Sequence, residues 1–329
     1  MKDLVSILVP VYGTEKYIEK CVRSILDQTY PNIEIVIVND CTPDNSMKII
    51  RDLMASYPNR TNNVKIVNHT VNQGLAVSRN DCIDAASGDF VFFLDSDDWI
   101  DLKTIETLVD KQLETKADIV SSKYFVNEDE LKPSYIEPNH PTREAMLTHY
   151  LTQGWHHELW GRLIRHSIFT NNDIRWIPGC DMAEDWRMTP MLVWYAQKIA
   201  FVDKHFYHYR HNDNSICFSP LSVERRTEQR RQTYQNLISL YAFFVNKDRK
   251  YADMAINLCA SKCFQILMEA ISTKNKDLFL EFRKKMLDYP REVRGKILSV
   301  SHAVALHFPF SYRIEVFLHY ITKQIKKDK

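Results

Sequence analysis

Phe90-Val91-Phe92-Phe93-Leu94-Asp95-Ser96-Asp97-Asp98-Trp99 is an apolar run of strand length that ends abruptly in three carboxylates. Like charges crowded at the end of a buried strand need a compensating partner. On an extended segment the side chains at i and i+2 share a side, so Asp95 and Asp97 are expected to converge while Asp98 points elsewhere. Paired carboxylate oxygens suit a hard divalent cation, Mg2+ or Mn2+, which can bridge them to a diphosphate. The competing account is a solvated acidic loop in which Asp98 caps the following helix.

Outward from this run the chain alternates. Val5 to Val11, Ile33 to Val38 and Val64 to Val67 are further short apolar runs rich in β-branched residues, each followed by polar residues. Between them, Ile18, Cys21, Val22, Ile25 and Leu26 recur at steps of three and four, as do Met47, Ile50, Leu53 and Met54. Leu75 to Ala86 and Ile105 to Leu113 supply two more helical patterns. Strands alternating with helices of this length predict an α/β fold, a Rossmann-like parallel or mixed sheet with helices on both faces. Ligands of such sheets sit beyond the carboxyl ends of the strands.

The composition narrows the partners. A formal charge of +1 over 329 residues provides no field for nucleic acid. The seven cysteines include no C-x-x-C pair and are odd in number, which disfavours a disulfide framework or a zinc site. The start at Lys2 and Asp3 lacks the layout of a secretory leader, and no apolar stretch in the sequence approaches the roughly 20 residues of a membrane span. A cytoplasmic location is the expectation. No two of the seven glycines stand as G-x-G, so neither the dinucleotide fingerprint nor the Walker loop is present.

Val38-Asn39-Asp40 ends the second strand as Leu94-Asp95 ends the fourth. Asp40 therefore falls where a ligand crevice would lie, or serves as a turn residue, and Asp44 reads as the N-cap of the next helix. Four segments together, Val5-Ser6-Ile7-Leu8-Val9-Pro10-Val11-Tyr12, Asn39-Asp40 with Asp44-Asn45-Ser46, Asn72-Gln73-Gly74-Leu75-Ala76 with Arg79-Asn80, and Leu94-Asp95-Ser96-Asp97-Asp98, resemble in their order the family 2 glycosyltransferases of GT-A fold. The resemblance is close over residues 1–125 and weaker to about Ser215. Gly13 stands where the family usually has asparagine, and Asn39-Asp40-Cys41-Thr42 replaces the usual D-D-G-S.

The resemblance implies an inverting transfer of a sugar from a UDP-sugar to an acceptor hydroxyl, in synthesis of a bacterial surface polysaccharide such as a capsule, O-antigen or exopolysaccharide. Pro10, Val11 and Tyr12 would line the base pocket and Asp40 would accept from the uracil imide. Glu15, Asn72 and Ser96 belong to the same donor-binding set, Arg79 would approach the diphosphate, Asp95 the ribose, and Asp97 the Mn2+ or Mg2+. The metal set is Asp97 and Asp95 with a histidine of Tyr207-His208-Tyr209-Arg210-His211, either His208 or His211, the latter carried in the ligand set.

An acceptor hydroxyl needs a base to take its proton during attack. Glu184-Asp185-Trp186 stands at the head of a helical pattern, and the resemblance points to Asp185 as the base with Glu184 orienting it; the alternative is that both acids merely favour a helix N-terminus. Trp155 to Arg162 resembles an acceptor-side stretch, whose tryptophans would stack on a sugar or simply fill the core. The expected organisation is a catalytic domain at 1–217, split into a nucleotide-sugar half (1–125) and an acceptor half (126–217), and a helical region at 218–329. Its last run, Tyr312 to Lys329, is an amphipathic basic segment suited to an anionic membrane surface or to ordinary packing. The acceptor would be a saccharide or lipid-linked saccharide, and a homodimer stays open. The contrasting reading is an inactive nucleotide-sugar-binding module of the same fold.

Overall fold

Strands form where β-branched and aromatic residues run together. The computed structural model describes residues 3–58, 60, 63–126, 142–152, 157–212, 215 and 222–297. The expectations for Trp155, His156 and the run from Tyr312 to Lys329 lie outside them. Two compact units divide the chain, Met1–Leu221 and Ser222–Lys329.

The first unit opens with β1 (Val5–Val11), α1 (Ile18–Leu26), β2 (Ile33–Asn39), α2 (Ser46–Ala55), β3 (Val64–Asn68), α3 (Leu75–Ala85) and β4 (Phe90–Phe93). It continues with β5 (Trp99–Ile100), α4 (Thr104–Thr115), β6 (Ile119–Val126), α5 (Arg143–Thr152), β7 (Arg162–Arg165), α6 (His166–Asn171), α7 (Asp185–Tyr195) and β8 (Ile199–Tyr209). The strands form one sheet in the order β3-β2-β1-β4-β7-β6-β8-β5. β1 pairs parallel with β2 and β4, and β2 with β3, whereas β7 runs antiparallel to β4 and β6. The sheet is therefore mixed, with helices on both sides as the alternating pattern predicts.

Alternation along each strand sorts the two faces. Val5, Ile7 and Val9 of β1, Ile35 and Ile37 of β2 and Phe90 and Phe92 of β4 bury against α1, α2 and α4. On the opposite face Phe93 meets Phe169 of α6 and Trp176 edge-on, at centroid distances of 6.0 and 5.5 Å, and α3 packs on β1 and β2. Parallel pairing sends the carboxyl ends of β1, β2 and β4 to one edge of the sheet. The loops that follow them, 12–15, 40–45 and 95–98, gather there.

The second unit contains α8 (Val223–Val245), α9 (Arg249–Ser272), α10 (Lys276–Asp288) and α11 (Arg291–Ile297). Ser222, Asp248 and Asn275 cap the first three, each side chain accepting from a backbone N–H of the first turn. Arg230 and Arg231 of α8 pair within the unit with Glu269 and Glu281 at 2.6 and 2.8 Å. α9 corrects one expectation: by length and composition it is long and apolar enough to cross a membrane. Cys259, Cys263, Ile266 and Leu267 on it are buried, and it packs between α8 and α10.

One polar cluster locks the parallel strands. Glu34 on β2 is fully buried, accepting from Ser6 Oγ at 2.5 Å and from Ser87 N and Oγ at 2.8 and 2.6 Å, and pairing with Lys65 Nζ at 2.7 Å. Ser6 Oγ in turn accepts from Gly88 N at 2.9 Å. Burial alone would raise the Glu34 pKa, but Lys65, Ser6 and Ser87 together hold it below its ordinary value. A depressed folded value stabilises the protein above the unfolded value of about 4.3, and that stabilisation disappears as pH falls through the folded value. Glu34→Gln should cost about 3 kcal/mol at neutral pH and flatten the acid side of the stability profile, measured by urea unfolding between pH 3 and 7.

Candidate active site

The acidic run after Leu94 is a turn, not an extended strand. Asp98 N donates to Asp95 O at 3.0 Å, closing four residues on themselves, so the expected i, i+2 alternation is replaced by turn geometry. Asp98 does point elsewhere, though not as a helix cap. It is buried, and its oxygens accept from Tyr207 Oη and Arg210 N, both at 2.7 Å, tying the turn to the end of β8. Burial and the charges of Asp97 and Asp95 push its pKa well up.

Asp97 Oδ2 accepts from Asn212 Nδ2 at 3.0 Å. Burial raises the Asp97 pKa, the Asp95 charge adds to it, and Asn212 offsets this only in part. A buried carboxylate whose charge is disfavoured, standing beside a second carboxylate, offers hard oxygen donors that fit a divalent cation. The histidines do not complete a three-ligand set. His208 is stacked between Trp99 and Phe125 at 4.8 and 4.6 Å with its Nε2 2.8 Å from Asp101 Oδ1, and it is Asn212, one residue beyond exposed His211, that reaches Asp97. Among the described residues no group of three His, Cys, Asp or Glu side chains is arranged to hold an ion. The register of β8, which aims Tyr207, Arg210 N and Asn212 at the acidic turn, is the reason.

Arg79 joins the two halves. It lies on α3, its side chain is 5% exposed, and its Nη2 donates to Asp95 Oδ1 at 3.1 Å while its Nη1 pairs with Glu184 Oε1. Glu184 is the N-cap residue of α7, and Asp185 begins the helix. Burial followed by the charge of Glu184 pushes the Asp185 pKa well up, Arg79 opposing. Glu184 is raised too, by burial, with Arg79 again opposing. A carboxylate with a raised pKa is a stronger base than a free one.

The loops after β1 and β2 form a linked wall. Gly13 N donates to Thr42 Oγ1 at 2.8 Å, Glu15 N to Asp44 Oδ2 at 2.8 Å, and Asn45 N to Glu15 Oε2 at 2.9 Å. Asn45 occupies the N-cap position of α2 without a side-chain cap bond, and it is the Asp44 carboxylate that accepts from Ser46 N at the helix start, while its further bonds from Glu15 N and Thr42 Oγ1 cross-link the loops. Pro10 and Val11 are buried beneath, and Tyr12 is 51% exposed above them, leaving a ring face open to solvent. Asp40 is 3% exposed, and its carboxylate accepts from Gln73 N and Gly74 N at 2.7 and 2.9 Å. Ser96 is buried in the acidic turn and Asn72 is exposed before Gly74.

Several participants escaped the sequence reading. Asp181 Oδ1 accepts from Ala76 N at 2.8 Å, and its carboxylate lies so close to Gly74 that an added Cβ would sit 2.5 Å from Oδ2. Asn80 exchanges two hydrogen bonds with the backbone of Trp176, at 2.8 and 3.0 Å, fixing α3 to the segment before α7. These contacts span about a hundred residues and leave no local signature; Asn80 stands beside Arg79 in the motif, which gives it no partner. Trp160, weighed as an acceptor platform, stacks on Tyr207 and Tyr209 at 4.4 and 5.5 Å and belongs to the packing under the site.

The chain is 28% identical over 295 residues to the uncharacterized glycosyltransferase EpsJ of Bacillus subtilis, an alignment covering 86% of this chain and 83% of EpsJ. It is 40% identical over 113 residues to the putative teichuronic acid biosynthesis glycosyltransferase TuaG of the same organism, covering 34% of this chain and 42% of TuaG. S. aureus TarS 1-349, solved in complex with UDP-GlcNAc, superposes with a TM-score of 0.73 at 19% identity, covering 99% of this chain and 92% of that one, and shares the GT-A fold. The model of glycosyl transferase family 2 matches residues 6–175. With more than half of its 329 residues inside that match, the chain belongs to glycosyl transferase family 2.

Proposed function

We propose that this glycosyltransferase transfers a sugar from a UDP-sugar to a saccharide or lipid-linked saccharide hydroxyl, inverting the anomeric carbon, in assembly of a surface polysaccharide. The observation that carries the reading is the Arg79 bracket, which puts Asp95 of the acidic turn and Glu184, next to Asp185, on the two ends of one guanidinium. The UDP-GlcNAc held by TarS and the teichuronic acid role in TuaG's name support the donor and the product class. Six cysteines among the described residues are free thiols, in keeping with action in the reducing cytoplasm.

In this mechanism Tyr12 stacks on the base above Pro10 and Val11, and Asp40 accepts from its imide. Glu15 holds the wall of that pocket, and Asn72 and Ser96 border the donor. A divalent cation, Mn2+ or Mg2+, held by Asp95 and Asp97 would offset the charge growing on the leaving diphosphate. Asp185 takes the proton of the attacking hydroxyl as its oxygen displaces the diphosphate in line, and Glu184 and Arg79 orient and tune it. One displacement gives inversion, and no protein nucleophile is needed.

Three outcomes are expected. Asp185→Asn should lower kcat by roughly 10²-fold or more while leaving UDP affinity within a few-fold, measured by UDP release and titration calorimetry. Asp97→Asn should abolish Mn2+-dependent release yet yield a metal-free protein at least as stable as wild type, because a carboxylate raised by burial costs folding energy when ionised; an active, chelator-insensitive variant would overturn the metal role. Glu184→Gln removes the neighbouring charge that raises Asp185, so the acid limb of kcat/KM should move to lower pH.

A further inference from the structure

His69, just beyond β3, is held by both ring nitrogens. Its Nδ1 lies 2.7 Å from Asp40 Oδ1 and its Nε2 2.7 Å from Asp81 Oδ2, and its side chain is 4% exposed. A neutral imidazole has one N–H and would turn a lone pair on one of these carboxylates, whereas imidazolium satisfies both. Burial opposes the charge, but Asp40 and Asp81 outweigh it and hold the His69 pKa above its ordinary value.

The acceptor capacity of Asp40 can be counted. Oδ1 accepts from Gln73 N and from His69, and Oδ2 accepts from Gly74 N. An ionised carboxylate offers about four acceptor sites, so a single one remains, on Oδ2. His69 therefore closes Oδ1 and supplies the counter-charge of a carboxylate that is 3% exposed.

We infer that His69 is a positioning residue for base recognition: clamped between Asp40 and Asp81, it leaves the second lone pair of Asp40 Oδ2 as the one acceptor offered to the donor's base. This rests on the reading of Asp40 as partner of the base imide and extends it to two residues outside the pocket. Asp81, on α3, is 36% exposed and touches Asp40 only through the imidazole. Loss of His69 opens Oδ1 and strips the buried carboxylate of its cation, so base discrimination should fall while chemistry at the anomeric carbon persists.

The test compares UDP with N3-methyl-UDP, which lacks the imide proton, by titration calorimetry in Mn2+ on wild type, His69→Ala and Asp81→Asn. Wild type should prefer UDP by roughly tenfold or more, the worth of a hydrogen bond to a charged group. In His69→Ala the preference should collapse toward unity because UDP weakens and N3-methyl-UDP does not, and Asp81→Asn should show a smaller loss of the same kind. With a UDP-sugar, donor KM should rise and kcat stay within about threefold. A wild-type preference that survives in His69→Ala, or equal weakening of both ligands, overturns the role of His69 alone. A wild type without preference overturns the reading of Asp40 and the inference with it. Should His69→Ala fail to fold, Asp81→Asn decides, since it keeps the imidazole and removes only a half-exposed charge: an unchanged preference there overturns the proposal.

Discussion

A single buried guanidinium organises this site. Arg79 reaches the acidic turn through Asp95 and the start of α7 through Glu184, two segments about ninety residues apart in sequence. Removing a charge of this kind from water is expensive, and the cost is met only when both partners are in place. The same pairing couples the two segments, because the buried guanidinium faces its full counter-charge only when Asp95 and Glu184 are both in place. α3 is correspondingly anchored at several points, by Asn80 to Trp176, by Asp181 at its first turn and by Asp40 before it.

The sheet supplies the second constraint. β5 and the acidic turn are drawn to β8, where Tyr207 Oη donates to Asp98 and accepts from Asp95 N at 3.2 Å, beneath the stack of Trp160 on Tyr207. The turn that presents Asp95 and Asp97 is therefore held from below by an aromatic floor and from the side by a strand contributed a hundred residues later. Asp98, which the sequence already sets apart from Asp95 and Asp97, is the fastener.

The parallel half of the fold was legible because its signals are local. β-branched runs marked β1 and β2, helical spacing marked α1 and α2, and the resemblance named the motifs at their ends. Roles that depend on register between distant strands were not legible. Asn212, one residue beyond His211, is the side chain that donates to Asp97, a contact that depends on how the segment after β8 meets the acidic turn. Asp44 looked like a cap because Asp precedes a helix, and only the close approach of the Glu15 loop shows its cross-linking use. Asp181 and the clasp on His69 are long-range and carry no spacing signal at all.

The first turn of α3 has a further consequence. In many nucleotide-binding proteins such a helix end, with its free N–H groups, is where phosphate settles. Here Gln73 N, Gly74 N and Ala76 N are already given to Asp40 and Asp181. Three donors at this helix end are thus turned onto the protein's own acids. A group approaching this helix end meets the carboxylates of Asp40 and Asp181 in the place where those three donors would otherwise point outward.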